Sequence, residues 1–290
     1  MKMRPPLPAE KVEALRYQYE AEKKWHRMLM GEIDAKKRLD LYRQAYSDIS
    51  AIDRERLGME TAQGFSEGYT ALLAPWLRGR EVLEIGCGYG FAIKAFAPFV
   101  NRIVGTEIAP EIVAIAKTRL RHAGINNFDI ILQPAQGLDS PDESWDVVFT
   151  DDVWEHLHPE DAAEAARRVF KVLRPGGRFI LGTVNRHCGP FDISCYFKAR
   201  GECADGLHLF EWEYGALAKQ LTDSGFVGVK TFLLPPSKRL AHLGVLGIVS
   251  RLPVPVGYKV FLEKTSVGKS KLFAKLFGLQ NVLVLATKPV

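Results

Sequence analysis

Hydrophobic and polar positions follow two regimes along the chain. Between Ala9 and Ile52 apolar residues recur every three or four positions, as at Val12, Leu15 and Tyr19 and again at Leu39, Tyr42, Ala45 and Ile49, among many charges. That spacing predicts amphipathic helices, and Gly31, the one glycine of the stretch, predicts a break between two of them. After residue 80 the period changes. Short apolar runs at Val82–Ile85, Arg102–Thr106, Asp129–Leu132, Val147–Thr150, Arg178–Thr183, Lys230–Leu234 and Val282–Ala286 read as strands. Helical stretches separate most of them, at Ala92–Ala97, Pro110–His122, Pro159–Val172 and Glu213–Ser224, with another at Tyr69–Leu77 ahead of the first strand. Strands alternating with helices predict a doubly wound α/β sheet.

The first of these strands runs into Gly86-Cys87-Gly88-Tyr89-Gly90. Glycine at every second position lets the backbone turn sharply and approach a ligand closely. A dinucleotide fingerprint needs its third glycine where this chain has Phe91. With Glu84 included, the stretch is E-x-G-x-G-x-G, which resembles the first motif of the class I S-adenosylmethionine (SAM) methyltransferases. The resemblance implies a loop of Gly86, Cys87, Gly88 and Gly90 around the amino-acid end of SAM, with Glu84 helping to hold its ammonium.

Further stretches carry the same resemblance. Glu107, with Ile108 beside it, ends the second strand, where a carboxylate accepts ribose hydroxyls; this also fits an NAD enzyme. After the third strand the family commonly places an acid near the adenine, and this chain has Gln133-Pro134-Ala135-Gln136, leaving Gln136 or backbone groups for that role. Pro141-Asp142-Glu143-Ser144-Trp145-Asp146, then Asp151-Asp152-Val153-Trp154-Glu155-His156-Leu157, resemble the family's P-D-x-S-F-D-x-V and D-V-L-E-H-L. Asp151 joins the cofactor set on that basis. Leu173-Arg174-Pro175-Gly176-Gly177 resembles the turn into the fifth strand.

The resemblance implies a Rossmann-like, seven-stranded, mostly parallel sheet with helices on both faces, its last strand antiparallel between the fifth and sixth. It covers residues 65–235 and the final strand. The expected organisation is a helical extension over residues 1–60 and a SAM-dependent methyltransferase domain over 61–290, with a lid-like basic insertion at 237–280. The helical extension could close over the active site or serve only as a packing appendage.

Ligands of open α/β sheets bind beyond the carboxyl ends of the strands. That rule selects Asp152, His156 and His208 as candidate catalytic groups, with the long Asn185–Gly206 connection as the acceptor wall. His156 titrates near neutrality when unperturbed and suits a general base, or it only orients its loop. Asp152-x-x-Glu155-His156 with His208-Leu209-Phe210-Glu211-Trp212 also resembles the metal-binding arrangement of small-RNA 3′-terminal 2′-O-methyltransferases. No metal is expected, but Asp152, Glu155, His156 and His208 would be its ligands, polarising a hydroxyl acceptor.

Charge adds one further element. The chain carries +5, yet residues 237–290 hold nine Lys or Arg against Glu263 alone, so this segment is +8 on a body of −3. Such a patch suits an anionic membrane surface or a phosphate-bearing acceptor, and permits nucleic acid without requiring it. Cys87, Cys188, Cys195 and Cys203 form no C-x-x-C pair, and neither a secretory leader nor an 18-residue apolar run occurs, so reduced thiols and a cytoplasmic setting are expected. The expected activity is methyl transfer to a heteroatom, oxygen by preference, of a small-molecule or lipid- or sugar-linked acceptor. The alternatives are metal-assisted RNA 2′-O-methylation and a non-catalytic SAM-binding or interaction module.

Overall fold

The computed structural model describes residues 9–52, 65–233, 252–265 and 270–290. Eight strands form one sheet: β1 Glu81–Ile85, β2 Arg102–Glu107, β3 Phe128–Leu132, β4 Trp145–Asp151, β5 Leu173–Val184, β6 Val227–Phe232, β7 Pro253–Pro255 and β8 Asn281–Thr287. Their order is β3-β2-β1-β4-β5-β8-β6-β7. Strands β1 to β5 are parallel, and β8 enters antiparallel between β5 and β6. Because β1 is flanked by β2 on one side and β4 on the other, the chain reverses its winding there and leaves a crevice at the carboxyl ends.

Two expectations are corrected. The sheet has an eighth strand, β7, which lies inside the segment expected as an insertion and pairs antiparallel with β6. Its prolines, Pro253 and Pro255, cost no ladder bonds on an outer edge. The sixth strand begins at Val227, three residues early, because Gly225 (φ +100°) turns the chain and buried Phe226 leads it directly into the sheet. Leu234 and the apolar stretch 243–249 lie outside the described residues.

Alternate residues of the central strands feed two cores. Leu83, Ile85, Val148, Phe179 and Leu181 pack with α6 (Pro159–Val172) and α7 (Tyr214–Asp223). Val82, Val147, Phe149 and Ile180 face the other way, onto α3 (Glu67–Leu77), α4 (Phe91–Phe96) and α5 (Pro110–His122).

The leader helices are α1 (Ala9–Gly31) and α2 (Ala35–Ile52), and the expected break falls at Gly31. They dock on the domain through polar anchors set among apolar contacts. Buried Arg38 grips both Asp161 oxygens, Nε to Oδ2 at 2.8 Å and Nη2 to Oδ1 at 2.7 Å. Tyr42 donates its hydroxyl to Asp161 at 3.0 Å and accepts the His158 N–H at 2.7 Å. On α1, Glu22 accepts the Leu207 N–H at 3.0 Å and the Tyr19 ring stacks on Phe197 at 4.5 Å. The leader therefore holds both the α6 start and the connection after β5.

Candidate active site

At the switch point lies a cavity of about 230 Å³. The turn after β1 forms one wall. Gly86 has φ +68°, and a Cβ there would also run into the Val153 side chain, so only glycine fits. Gly88 (φ +49°) has open space where a Cβ would stand and turns its N–H to Glu107.

Glu107 organises the opposite wall. Its Oε2 accepts the Gly88 N–H at 3.1 Å, and its Oε1 accepts the Ile108 and Ala109 N–H groups at 2.8 and 3.1 Å. Burial raises its pKa above the ordinary value, with the three N–H groups pulling back toward the anion. Gly86, Gly88, Glu107, Ile108 and Gln136 all line this cavity, as do Gln133 to Ala135. The Gln136 amide nitrogen is buried without a hydrogen-bond partner among the described residues.

Four other residues assigned to the cofactor stand behind this wall. Cys87 is buried in the core under Gly105, and a Cβ on Gly90 (φ +75°) would meet Leu120. Glu84 and Asp151 are buried beneath the turn, where burial first pushes both pKa values well above the usual range, with the Asp151 charge adding to this at Glu84 and the Asp152 and Glu155 charges at Asp151. Asp151 accepts the Tyr69 hydroxyl at 3.1 Å, whereas Glu84 Oε2 has no hydrogen-bond partner among the described residues. A buried acid pair with an orphaned oxygen is suited to a cationic ligand. The lining is of the kind a SAM site needs: a carboxylate, Glu107, and an amide, Gln136, face the cavity, and the Glu84 and Asp151 acids are buried behind the glycine turn.

The leader supplies a further wall, one of the two roles held open for it, through residues that the sequence did not single out for the site. Tyr42 and Tyr46 of α2 line the cavity, four residues apart on one helix face. Tyr42 was visible in the apolar periodicity and Tyr46 was not, and nothing local says that their face covers a ligand.

Asp152, Val153, His156 and Leu157 complete the lining. Asp152 sits at φ +54°, unusual for a residue with a Cβ, and burial raises its pKa. His156 Nδ1 lies 3.0 Å from the Leu207 carbonyl, which only accepts, so Nδ1 carries the proton and Nε2 keeps its lone pair. Burial, then His208, pushes the His156 pKa down to about 3, so the ring is neutral. His208 does not line the cavity. It packs edge-on to His156 at 4.7 Å and hydrogen-bonds Glu211 at 2.9 Å. Burial would lower its pKa, but the Glu211, Glu155 and Asp192 carboxylates outweigh that and raise it.

Glu155, His156 and His208 bring one ligand atom each within 4.8 Å of one another. Glu155 accepts the Thr183 hydroxyl on Oε2 at 2.7 Å, and its Oε1 has no partner among the described residues. Burial raises its pKa to about 7. Asp152, expected as a fourth ligand, is not in the group, because its positive-φ turn sets it on the cavity wall.

Comparison with known proteins agrees with this geometry. Residues 83–181 match a family model described as a methyltransferase domain. A Mycolicibacterium smegmatis protein named as a probable S-adenosylmethionine-dependent methyltransferase is 37% identical over 154 residues, 53% of this chain and 54% of that protein. The ubiquinone biosynthesis O-methyltransferase of Rhizobium johnstonii is 32% identical over 110 residues, 38% of this chain and 43% of that enzyme. The chain thus spans about half the length of the curated relatives it matches. Among solved structures, the [4+2]-cyclase SpnF superposes with a TM-score of 0.56 at 18% identity, covering 87% of this chain and 97% of SpnF. A SAM-dependent methyltransferase of Methanosarcina mazei gives 0.50 at 16% identity, over 79% and 100% of the two chains. At these identities the superpositions speak to the fold alone.

Proposed function

We propose, for a chain that carries a class I SAM-dependent methyltransferase domain, transfer of the SAM methyl group to a heteroatom, oxygen by preference, of a small-molecule or lipid- or sugar-linked acceptor. The observation that carries this reading is the direction of Glu107, whose carboxylate turns into the crevice and holds the Gly88 turn. SAM supplies an electrophilic methyl group, so the protein's part is alignment in a water-poor pocket. Tyr42 and Tyr46 close that pocket from the leader. His156 lines this pocket, and its neutral ring, with Nε2 as the accepting nitrogen, is the group placed to take a hydrogen bond from a hydroxyl acceptor. Preference for oxygen is supported by similarity to the ubiquinone O-methyltransferases. Calorimetric titration with SAM, with NADH as the control, tests the cofactor assignment, and absence of SAM binding overturns it.

A second reading adds a divalent cation, favoured by the grouping of Glu155, His156 and His208 and by the unpartnered Glu155 oxygen. Such an ion would hold the acceptor hydroxyl and favour its alkoxide. An RNA acceptor in this reading requires binding that weakens steeply with salt.

A further inference from the structure

A second cavity, of about 190 Å³, opens beyond the carboxyl end of β6, beside the start of β8. Asn281 at its edge pairs with Val184, the last residue of β5, so this cavity is on the ligand side of the sheet. The Tyr69 ring lines the second cavity while its hydroxyl bonds Asp151, the neighbour of the Asp152 that lines the first.

The chemistry of its wall differs from that of the cofactor crevice, which is lined by acid. Here two lysines line the space, Lys259 from α8 (Gly257–Lys264) and Lys275 from α9 (Lys271–Leu276), together with Gln280 and Thr231. Lys259 is 1% exposed, and its ammonium donates to the Phe277 carbonyl, a neutral partner. The acid one turn along, Glu263, is engaged elsewhere: it accepts the Asn185 amide at 2.7 Å and the Tyr214 N–H at 3.1 Å. A buried ammonium beside an acid already engaged by N–H donors is costly unless an anion completes it. Burial accordingly lowers the Lys259 pKa to about 8, with the Glu263 charge offsetting only part of that cost.

We propose that this second cavity is the acceptor subsite and that Lys259, with Lys275 at its rim, binds an oxyanion carried by the methyl acceptor, a phosphate or a carboxylate. The anion holds the acceptor at one end while its methyl-accepting atom points past Tyr69 toward the cofactor. The acceptor part of this assignment rests on the methyltransferase reading; the anion site does not.

The test uses the full chain and two probes, inorganic phosphate and benzoate, titrated calorimetrically into wild type, Lys259→Met and Lys275→Glu, with SAM titrated into each. The expected result is that one probe binds wild type and that each variant weakens it at least tenfold, with SAM affinity within twofold. Which probe binds distinguishes phosphate from carboxylate. Lys275 is exposed, so Lys275→Glu carries the test even where Lys259→Met fails to fold. Binding of neither probe, or unchanged binding in Lys275→Glu, overturns the proposal. Parallel loss of SAM affinity in Lys275→Glu would assign the cavity to the cofactor's own carboxylate and also overturn it. Probe binding without SAM binding in wild type would retain the anion site and reject the methyltransferase reading.

Discussion

Glu107 accepts the Gly88 N–H at 3.1 Å, which ties the tip of β2 to the turn after β1. The cofactor wall is thereby set by a bond within the protein, and a ribose would meet a carboxylate already held in place. Replacing Glu107 by Gln puts an amide N–H where one carboxylate oxygen accepts, opposing a backbone donor. Charge-assisted hydrogen bonds contribute about 1.5–3 kcal/mol each, so SAM affinity should fall roughly 10- to 100-fold in Glu107→Gln by calorimetry. An unchanged dissociation constant would remove Glu107 from the site.

The Arg38–Asp161 pair anchors the leader over the cavity. Both side chains are almost fully buried, so removing one partner strands the other's charge. Arg38→Met should cost about 3–5 kcal/mol in denaturant unfolding and also weaken SAM, since Tyr42 and Tyr46 lose their seat. The double variant Arg38→Met with Asp161→Leu should recover much of the stability. If Arg38→Met unfolds as wild type does, the pair does not fasten the leader.

How much of this was legible in the sequence depends on the distance over which each signal acts. The glycine turn, Glu107 and the strand–helix alternation depend on local backbone demands, and they can be read from adjacent residues. Gln136 was named only because the expected acid was missing, and it does line the cavity. Arg38, Tyr42 and Tyr46 could not be placed, because the side chains they meet lie more than 100 positions away: Asp161 for Arg38, Asp161 and His158 for Tyr42, and the His156 ring for Tyr46. The metal candidates were separated for a similar reason. His208 reaches Glu155 and His156 through a long connection, whereas Asp152, close in sequence, is turned aside by its own φ. Strand β7 escaped notice because two prolines in three residues argue against a strand everywhere except at an edge.

Asp146 gives a pH signature at the other end of the sheet. It accepts the Glu81 N–H at 2.9 Å and Arg174 Nη1 at 2.7 Å. Burial pushes its pKa up, but these donors more than reverse that, so its folded value lies below the ordinary carboxylate value of 3.8. The unfolded chain then takes up the proton first as pH falls. The stabilisation is therefore complete above the ordinary value and disappears as pH drops through the folded one. Asp146→Asn should cost roughly 1–2 kcal/mol at pH 7, and the difference from wild type should narrow in acid. A difference that is constant from pH 7 to pH 3 would contradict the ionic account.

The metal question turns on one oxygen. Glu155 Oε1 is buried and has no partner among the described residues, while its other oxygen takes the Thr183 hydroxyl. A divalent ion would satisfy that oxygen together with His156 and His208. The protein would then bind Mn²⁺ in a one-to-one ratio after chelation and dialysis, and Glu155→Gln would lose that binding while keeping SAM, since Glu155 is outside the cofactor wall. Methyl transfer to a hydroxyl acceptor should then fall on chelation and return with the ion. If Mn²⁺ does not bind, or if Glu155→Gln binds it as wild type does, His208 serves to pack against the His156 ring, whose neutral Nε2 is left to hydrogen-bond the acceptor alone.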